Sequence, residues 1–122
     1  MDRDTSDAGA LLTKLLSAWN EADEGARRAI LEEALAASST YLDPNAPEPI
    51  EGVDGMAGFL EVFRRSLPDA VLLPQGSPMV SHGSAMMHAR LDRGGEPFAR
   101  LIFVGWAEGD GLSRVTGFVE GE

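Results

Sequence analysis

Residues 84–120, SAMMHARLDRGGEPFARLIFVGWAEGDGLSRVTGFVE, decide the fold. From Ser84 to Leu91 the side chains alternate. Ala85, Met87, Ala89 and Leu91 share one face, and Ser84, Met86, His88 and Arg90 share the other, the period of a strand. Asp92-Arg93-Gly94-Gly95 is hairpin-turn chemistry, and a long strand is predicted from Pro97 to Ala107. Glu108-Gly109-Asp110-Gly111 is a second turn, and Leu112 to Glu120 is the last strand. Short turns between successive strands mean an antiparallel meander.

The middle strand carries more information than its neighbours. Phe98, Ile102, Val104 and Trp106, interrupted by Arg100, occupy one face, while Ala99, Leu101, Phe103 and Ala107 occupy the other. An antiparallel strand wetted on one side should alternate polar with apolar. This one is apolar on both sides, so each needs a cover. Helices can supply one. For the other the expectation is a second copy of the chain, a homodimer meeting through His88, Arg100, Ile102, Val104 and Trp106; a loop or terminal segment lying across that face is the alternative.

Upstream the periodicity is helical. Leu11, Leu12, Leu15, Leu16 and Trp19 form one helix face, with Asn20 to Gly25 as its end. Ile30, Leu31, Ala34 and Leu35 stripe a second helix, whose other face is assigned to Arg27, Arg28, Glu32 and Glu33, with Arg28 and Glu32 at pairing distance. Val53, Met56, Leu60, Phe63 and Leu67 mark a third helix, stopped by Pro68. Between the second and third lie a short β-like run, Ser38 to Pro44, and a rim loop with Pro44, Pro47 and Pro49. A short apolar run, Ala70 to Pro74, precedes the meander. Helices first and a meander afterwards predict a single α+β domain over residues 1–122, with 1–7 as a disordered tail.

Composition narrows the functional classes. The formal charge is −10, from 20 acidic and 10 basic residues, a field that repels phosphate backbones and anionic lipid. Neither nucleic acid nor a membrane is expected as a partner. The chain has no Cys, which removes disulfides, Cys-ligated zinc and thiol catalysis. With acid at the amino terminus and no apolar segment after it, a cytoplasmic location is expected. His82 and His88 are the only histidines, and no carboxylate-rich or helix-spaced partner completes a metal site, so neither a metal nor a cofactor is expected.

Several features then occur in order: Trp19-Asn20 closing a first helix, an Arg-rich second helix, Tyr41-Leu42-Asp43-Pro44, Ile50-Glu51-Gly52-Val53-Asp54-Gly55 opening a third helix, and a meander ending in Arg114-Val115-Thr116-Gly117-Phe118. From about Leu11 to Val119 this succession resembles the nuclear transport factor 2-like superfamily, in its SnoaL-like branch, the relatives of ketosteroid isomerase and polyketide cyclases. The resemblance implies a cone: helices folded onto a strongly curved, mainly antiparallel sheet, a pocket inside and commonly a dimer through the sheet's outer face. It does not select an activity, because the superfamily hosts isomerases, cyclases, dehydratases, hydrolases, ligand binders and interaction domains.

Asp43 is the candidate for chemistry. Tyr41 and Asp43, two apart on an extended run, point the same way. In the isomerase an Asp before a Pro at the matching place is the proton-shuttling base, and a carboxylate at the mouth of an apolar cavity suits that task. Asp-Pro is equally ordinary turn chemistry. The isomerase's oxyanion donors, a tyrosine and a protonated Asp, align with Leu15 and Phe103 here, so its main electrostatic term is missing. Leu15, Trp19, Tyr41, Phe59, Phe63, Met87, Leu101, Phe103 and Phe118 are expected to line the pocket or fill the core, and together they predict a small apolar ligand. Three functions fit: a cofactor-free isomerase, cyclase or lyase with Asp43 as base; a non-catalytic binder of a hydrophobic metabolite; or a dimeric interaction domain with its cone packed shut.

Overall fold

The meander is present as read, in a computed structural model that describes residues 5–109 and 111–120. Strands β4 (Ser84–Arg93), β5 (Glu96–Glu108) and β6 (Gly111–Glu120) pair antiparallel, with Met87 opposite Phe103 and Phe103 opposite Gly117. Three further strands extend it: β1 (Leu35–Leu42), β2 (Ile50–Glu51) and β3 (Ala70–Ser81). The sheet runs β2-β1-β6-β5-β4-β3, antiparallel except for the parallel pair β1–β6. Helices α1 (Thr5–Ser17), α2 (Glu24–Ala34) and α3 (Gly52–Ser66) complete an α+β fold, with a single 3₁₀ turn at Ala18–Asn20. Of the tail expected over 1–7, residues 1–4 lie outside the described residues and Thr5–Asp7 form the first turn of α1.

Two strands are longer than their sequence suggests. β3 continues through Pro74 and Pro78 to Ser81, beyond the short apolar run Ala70 to Pro74. β3 is an edge strand, so a residue without an N–H can turn its missing donor outward. The register shifts between Gln75 and Met79, around Gly76 at φ 85°, which absorbs the second proline in a bulge. β1 begins at Leu35, a residue read as part of the α2 stripe. Leu35 turns to extended backbone at φ −103°, ψ 141° and pairs with Leu112 of β6.

The core lies between the helices and the inner face of the sheet. Leu12, Leu15, Leu16 and Trp19 of the first helical segment are buried against Leu72, Ala85, Met87 and Ala89, with Leu31, Met56 and Leu60 from the other helices. Each such large side chain contributes about 1.5–3 kcal/mol on burial. Arg27, assigned by its spacing to the solvent face of α2, is buried at 3% exposure. Its guanidinium donates from Nη1 to the carbonyl oxygen of Glu21 and from Nη2 to Glu61 of α3, both at 2.9 Å, so both terminal nitrogens of the buried charge are met. Arg28 pairs with Asp54 of α3, a partner from another helix, where a local pairing with Glu32 was expected.

Asn20 fastens the helical layer to the sheet edge. Its amide donates to Leu72 O and accepts from Leu72 N, both at 2.8 Å, as a neighbouring strand would. Asn20→Ala removes both partners from a buried residue's backbone at an edge no strand covers. It is expected to cost about 1–2 kcal/mol, measured by urea denaturation. An unchanged midpoint would mean water replaces the amide without loss.

Candidate active site

The concave end of the sheet, α3 and the 43–49 loop bound an open cavity of about 1020 Å³. Its wall is mostly apolar: Trp19 from the first helical segment, Phe59, Val62 and Phe63 from α3, and Leu101 and Phe103 from β5. Asp43, Asn45, Glu48 and Ser66 supply polar side chains. The mouth is rimmed by large apolar residues left in water, Val62, Phe98 and Phe118, each about half exposed.

Asp43 follows the last residue of β1, and the alternation of that strand aims it like Tyr41. Tyr41, 2% exposed, donates its phenol proton to Asp43 Oδ2 at 2.5 Å. The backbone N–H of Asn45 donates to Oδ1 at 2.8 Å, and Ala46 N–H to the Asp43 carbonyl at 3.0 Å, so the carboxylate also closes the turn into the rim loop. Burial, then the charge of Asp43 and its hydrogen bond, hold the Tyr41 phenol well above its ordinary value. Tyr41 therefore stays a donor throughout the neutral range. Its ring is wedged by Trp19 at 5.9 Å and Phe59 at 5.5 Å between centroids, and Trp19 in turn stands edge-on to Phe103 at 5.5 Å.

Gly117 makes room for this pair. A Cβ there would lie 3.0 Å from Tyr41 Oη, 3.3 Å from Phe103 Cε1 and 3.5 Å from Asp43 Oδ2. Gly117 stands in the Arg114–Phe118 run with no role legible from sequence, and no local signal marks the rim residue Glu48. Nothing local distinguishes Gly117 from the other glycines, because the reason for it lies on β1.

Eight of the nine expected pocket residues divide into two groups, and Phe118 stands apart. Trp19, Phe59, Phe63, Leu101 and Phe103 border the cavity. Leu15, Tyr41 and Met87 are buried behind its wall. Phe118 borders the mouth, but it pairs with Ile102 and so belongs to the outer-face register, 48% exposed. The outer face brings His88 opposite Ile102, Arg90 opposite Arg100 and Met86 opposite Val104. Trp106, on the same face, is 40% exposed under the Arg114 guanidinium at 5.9 Å. Among the described residues no group of three or more His, Cys, Asp and Glu side chains could hold a metal ion. No helix among them is long and apolar enough to cross a membrane.

Comparison with solved structures places this geometry. A protein described as a candidate isomerase of the SnoaL-like family from Agrobacterium tumefaciens str. C58 superposes with a TM-score of 0.86 at 26% identity, over 95% of this chain and 99% of the other. The chain has the fold of the SnoaL-like proteins of the nuclear transport factor 2-like superfamily. A candidate ketosteroid isomerase from Kribbella flavida DSM 17836 matches at TM-score 0.74 and 23% identity, over 97% of this chain and 81% of the other. A candidate SnoaL-like polyketide cyclase from Jannaschia sp. CCS1 matches at 0.78 and 13%, over 98% and 91%. These last two are similar in fold. Neither a scan of family models nor a search of curated proteins finds a match. Within the SnoaL-like cone, this protein has Leu15 buried in the core and Phe103 on the cavity wall, where the resemblance puts the isomerase's two oxyanion donors.

Proposed function

We propose that the protein binds a small apolar molecule in the cone and that Asp43 acts on it as a general base, in a cofactor-free proton transfer of the isomerase or cyclase kind. The observation that carries this reading is the Asp43 carboxylate, partly buried on the wall of a large apolar cavity and held in place by a buried tyrosine. Two of the carboxylate's roughly four lone-pair sites are taken, leaving acceptor capacity for a substrate proton. The structural likeness to isomerase-like and cyclase-like proteins supports the reaction class.

The test is hydrogen–deuterium exchange next to the carbonyl of apolar, enolisable ketones in D₂O, followed by NMR together with binding. Exchange well above the uncatalysed rate is the expected result. Ketones that bind and do not exchange would overturn the base and leave a non-catalytic binder. One observation favours that second reading: the Asn45 amide on Asp43 Oδ1 is the turn-capping contact that needs no chemistry.

The outer face supports a second copy of the chain as the partner. Ile102 and Val104 lie beside Trp106 and Phe118, 40% and 48% exposed, on the outer face of strands whose inner face meets the core and the cavity. Trp106→Glu should turn a dimer into a monomer, read by sedimentation or light scattering. A wild-type chain that is monomeric at about 100 µM, well above the Kd of a specific dimer, rules the partner out.

A further inference from the structure

We propose that the ligand of this cavity is an apolar cation, a protonated or quaternary amine carrying hydrocarbon bulk. This rests on the reading of the cavity as a ligand site and adds the sign of the ligand's charge.

The charged side chains on the cavity wall are of one sign. Asp43 and Glu48 line it, and Lys, Arg and His are absent from the lining among the described residues. The basic groups next to lining segments already have partners or lie on the opposite face. Arg64 follows Phe63, and its Nη1 donates to the carbonyl oxygen of Trp19 at 2.9 Å. Arg93 reaches Asp69 at 3.6 Å and lies over the Phe98 ring at 5.4 Å. Arg100 sits between the lining residues Ala99 and Leu101 in sequence, and strand alternation puts it on the opposite face, across from Arg90. Asp43 is the deeper of the two acids, partly buried, with acceptor sites left over after Tyr41 and the Asn45 amide.

The rest of the wall suits the same ligand. Trp19, Phe59, Phe63 and Phe103 contribute aromatic rings to the wall, and an aromatic ring attracts a cation at its face. An ammonium with alkyl or aryl bulk meets carboxylate, ring faces and apolar wall together. A neutral molecule of the same shape gains only the apolar contacts. A carboxylate or phosphate meets negative charge at Asp43 and Glu48 with no lining cation to offset it, inside a chain of net charge −10.

Three probes of nearly equal size separate charge from shape: phenethyltrimethylammonium, its neutral carbon isostere (3,3-dimethylbutyl)benzene, and 3-phenylpropanoate. Dissociation constants come from ¹H–¹⁵N NMR titration of the full chain at fixed, low ionic strength. The cation is expected to bind at least about tenfold more tightly than the neutral isostere, and the carboxylate more weakly than either. The Asp43→Asn, Glu48→Gln double variant should lower the cation-to-neutral ratio several-fold, leaving only the contribution of the ring faces. Equal binding of cation and neutral probe by the wild type overturns the charge preference and leaves the apolar ligand site standing. Failure of all three to shift cavity resonances overturns the ligand site itself. A ratio left undiminished by the double substitution also defeats the proposal, because the preference then owes nothing to these carboxylates. The wild-type comparison decides even where the double variant does not fold.

Discussion

Gly111→Ala is expected to be the most damaging single methyl group that can be added to this chain. A Cβ at Gly111 would fall 2.5 Å from Ala36 N, 2.6 Å from Leu35 C and 2.9 Å from Leu35 O. All three are backbone atoms, at the point where α2 passes into β1 and β1 meets β6 in parallel. A side chain in the way could rotate. Here the whole strand must move, and Leu35 and Leu112, both buried, move with it. The expected cost is about 3 kcal/mol or more, at the upper end for overpacking. In a domain of this size it lowers the melting temperature by roughly 10 °C or more. Gly58→Ala is the matched control: it lies on an exposed turn of α3 with nothing within 4 Å of its Cβ position. That substitution should be neutral or stabilising by about 0.5–1 kcal/mol. Calorimetry of both variants checks the pair, and similar melting temperatures for the two would mean the β1–β6 junction yields easily.

Asp43→Asn should lower the rate of proton transfer by about 10²- to 10⁴-fold, the usual contribution of a positioned base. Its effect on stability should be small. The asparagine carbonyl can still accept the Asn45 N–H that closes the turn, and the Tyr41 hydroxyl can rotate to accept from the new amide nitrogen. A change of about 1 kcal/mol or less is therefore expected, with the circular dichroism spectrum preserved. Exchange kinetics and thermal melts on one preparation separate the two roles open to Asp43. A large fall in rate with an unmoved melt is the signature of a base. The reverse, a lowered melt with turnover intact, would show the carboxylate to be a turn cap and nothing more.

How much could be read in advance depends on how local each cause is. The alternation of Ala85, Met87, Ala89 and Leu91 marks an inner face because a strand repeats every two residues, and all four are buried. Helix α3 was legible for the same reason, with Met56 and Leu60 of its stripe buried and Val53 and Phe63 partly so. β3 was cut short because proline is a breaker in any local reading, and only its place at the sheet edge makes Pro74 and Pro78 acceptable. Arg27 was misassigned because spacing placed it on the face of α2 with the other charges. Its partners, Glu61 and the Glu21 carbonyl, are brought to it by folding.

At the site the division is the same. That Tyr41 and Asp43 face one way is a property of two residues on one strand, and so is the turn that Asp-Pro begins. The reason for Gly117 is the Tyr41 hydroxyl, which arrives from the other end of the chain through the parallel β1–β6 pairing. The cavity likewise belongs to no segment, since its walls come from the first helical segment, the 43–49 loop, α3, β5 and β6. Periodicity and turn chemistry act over a few residues, so the chain alone determined the strands of the meander, the three helices and their inward faces. The pairing of β1 with β6, the burial of Arg27 and the hollow beside Asp43 depend on distant segments meeting, and only the tertiary structure decided them.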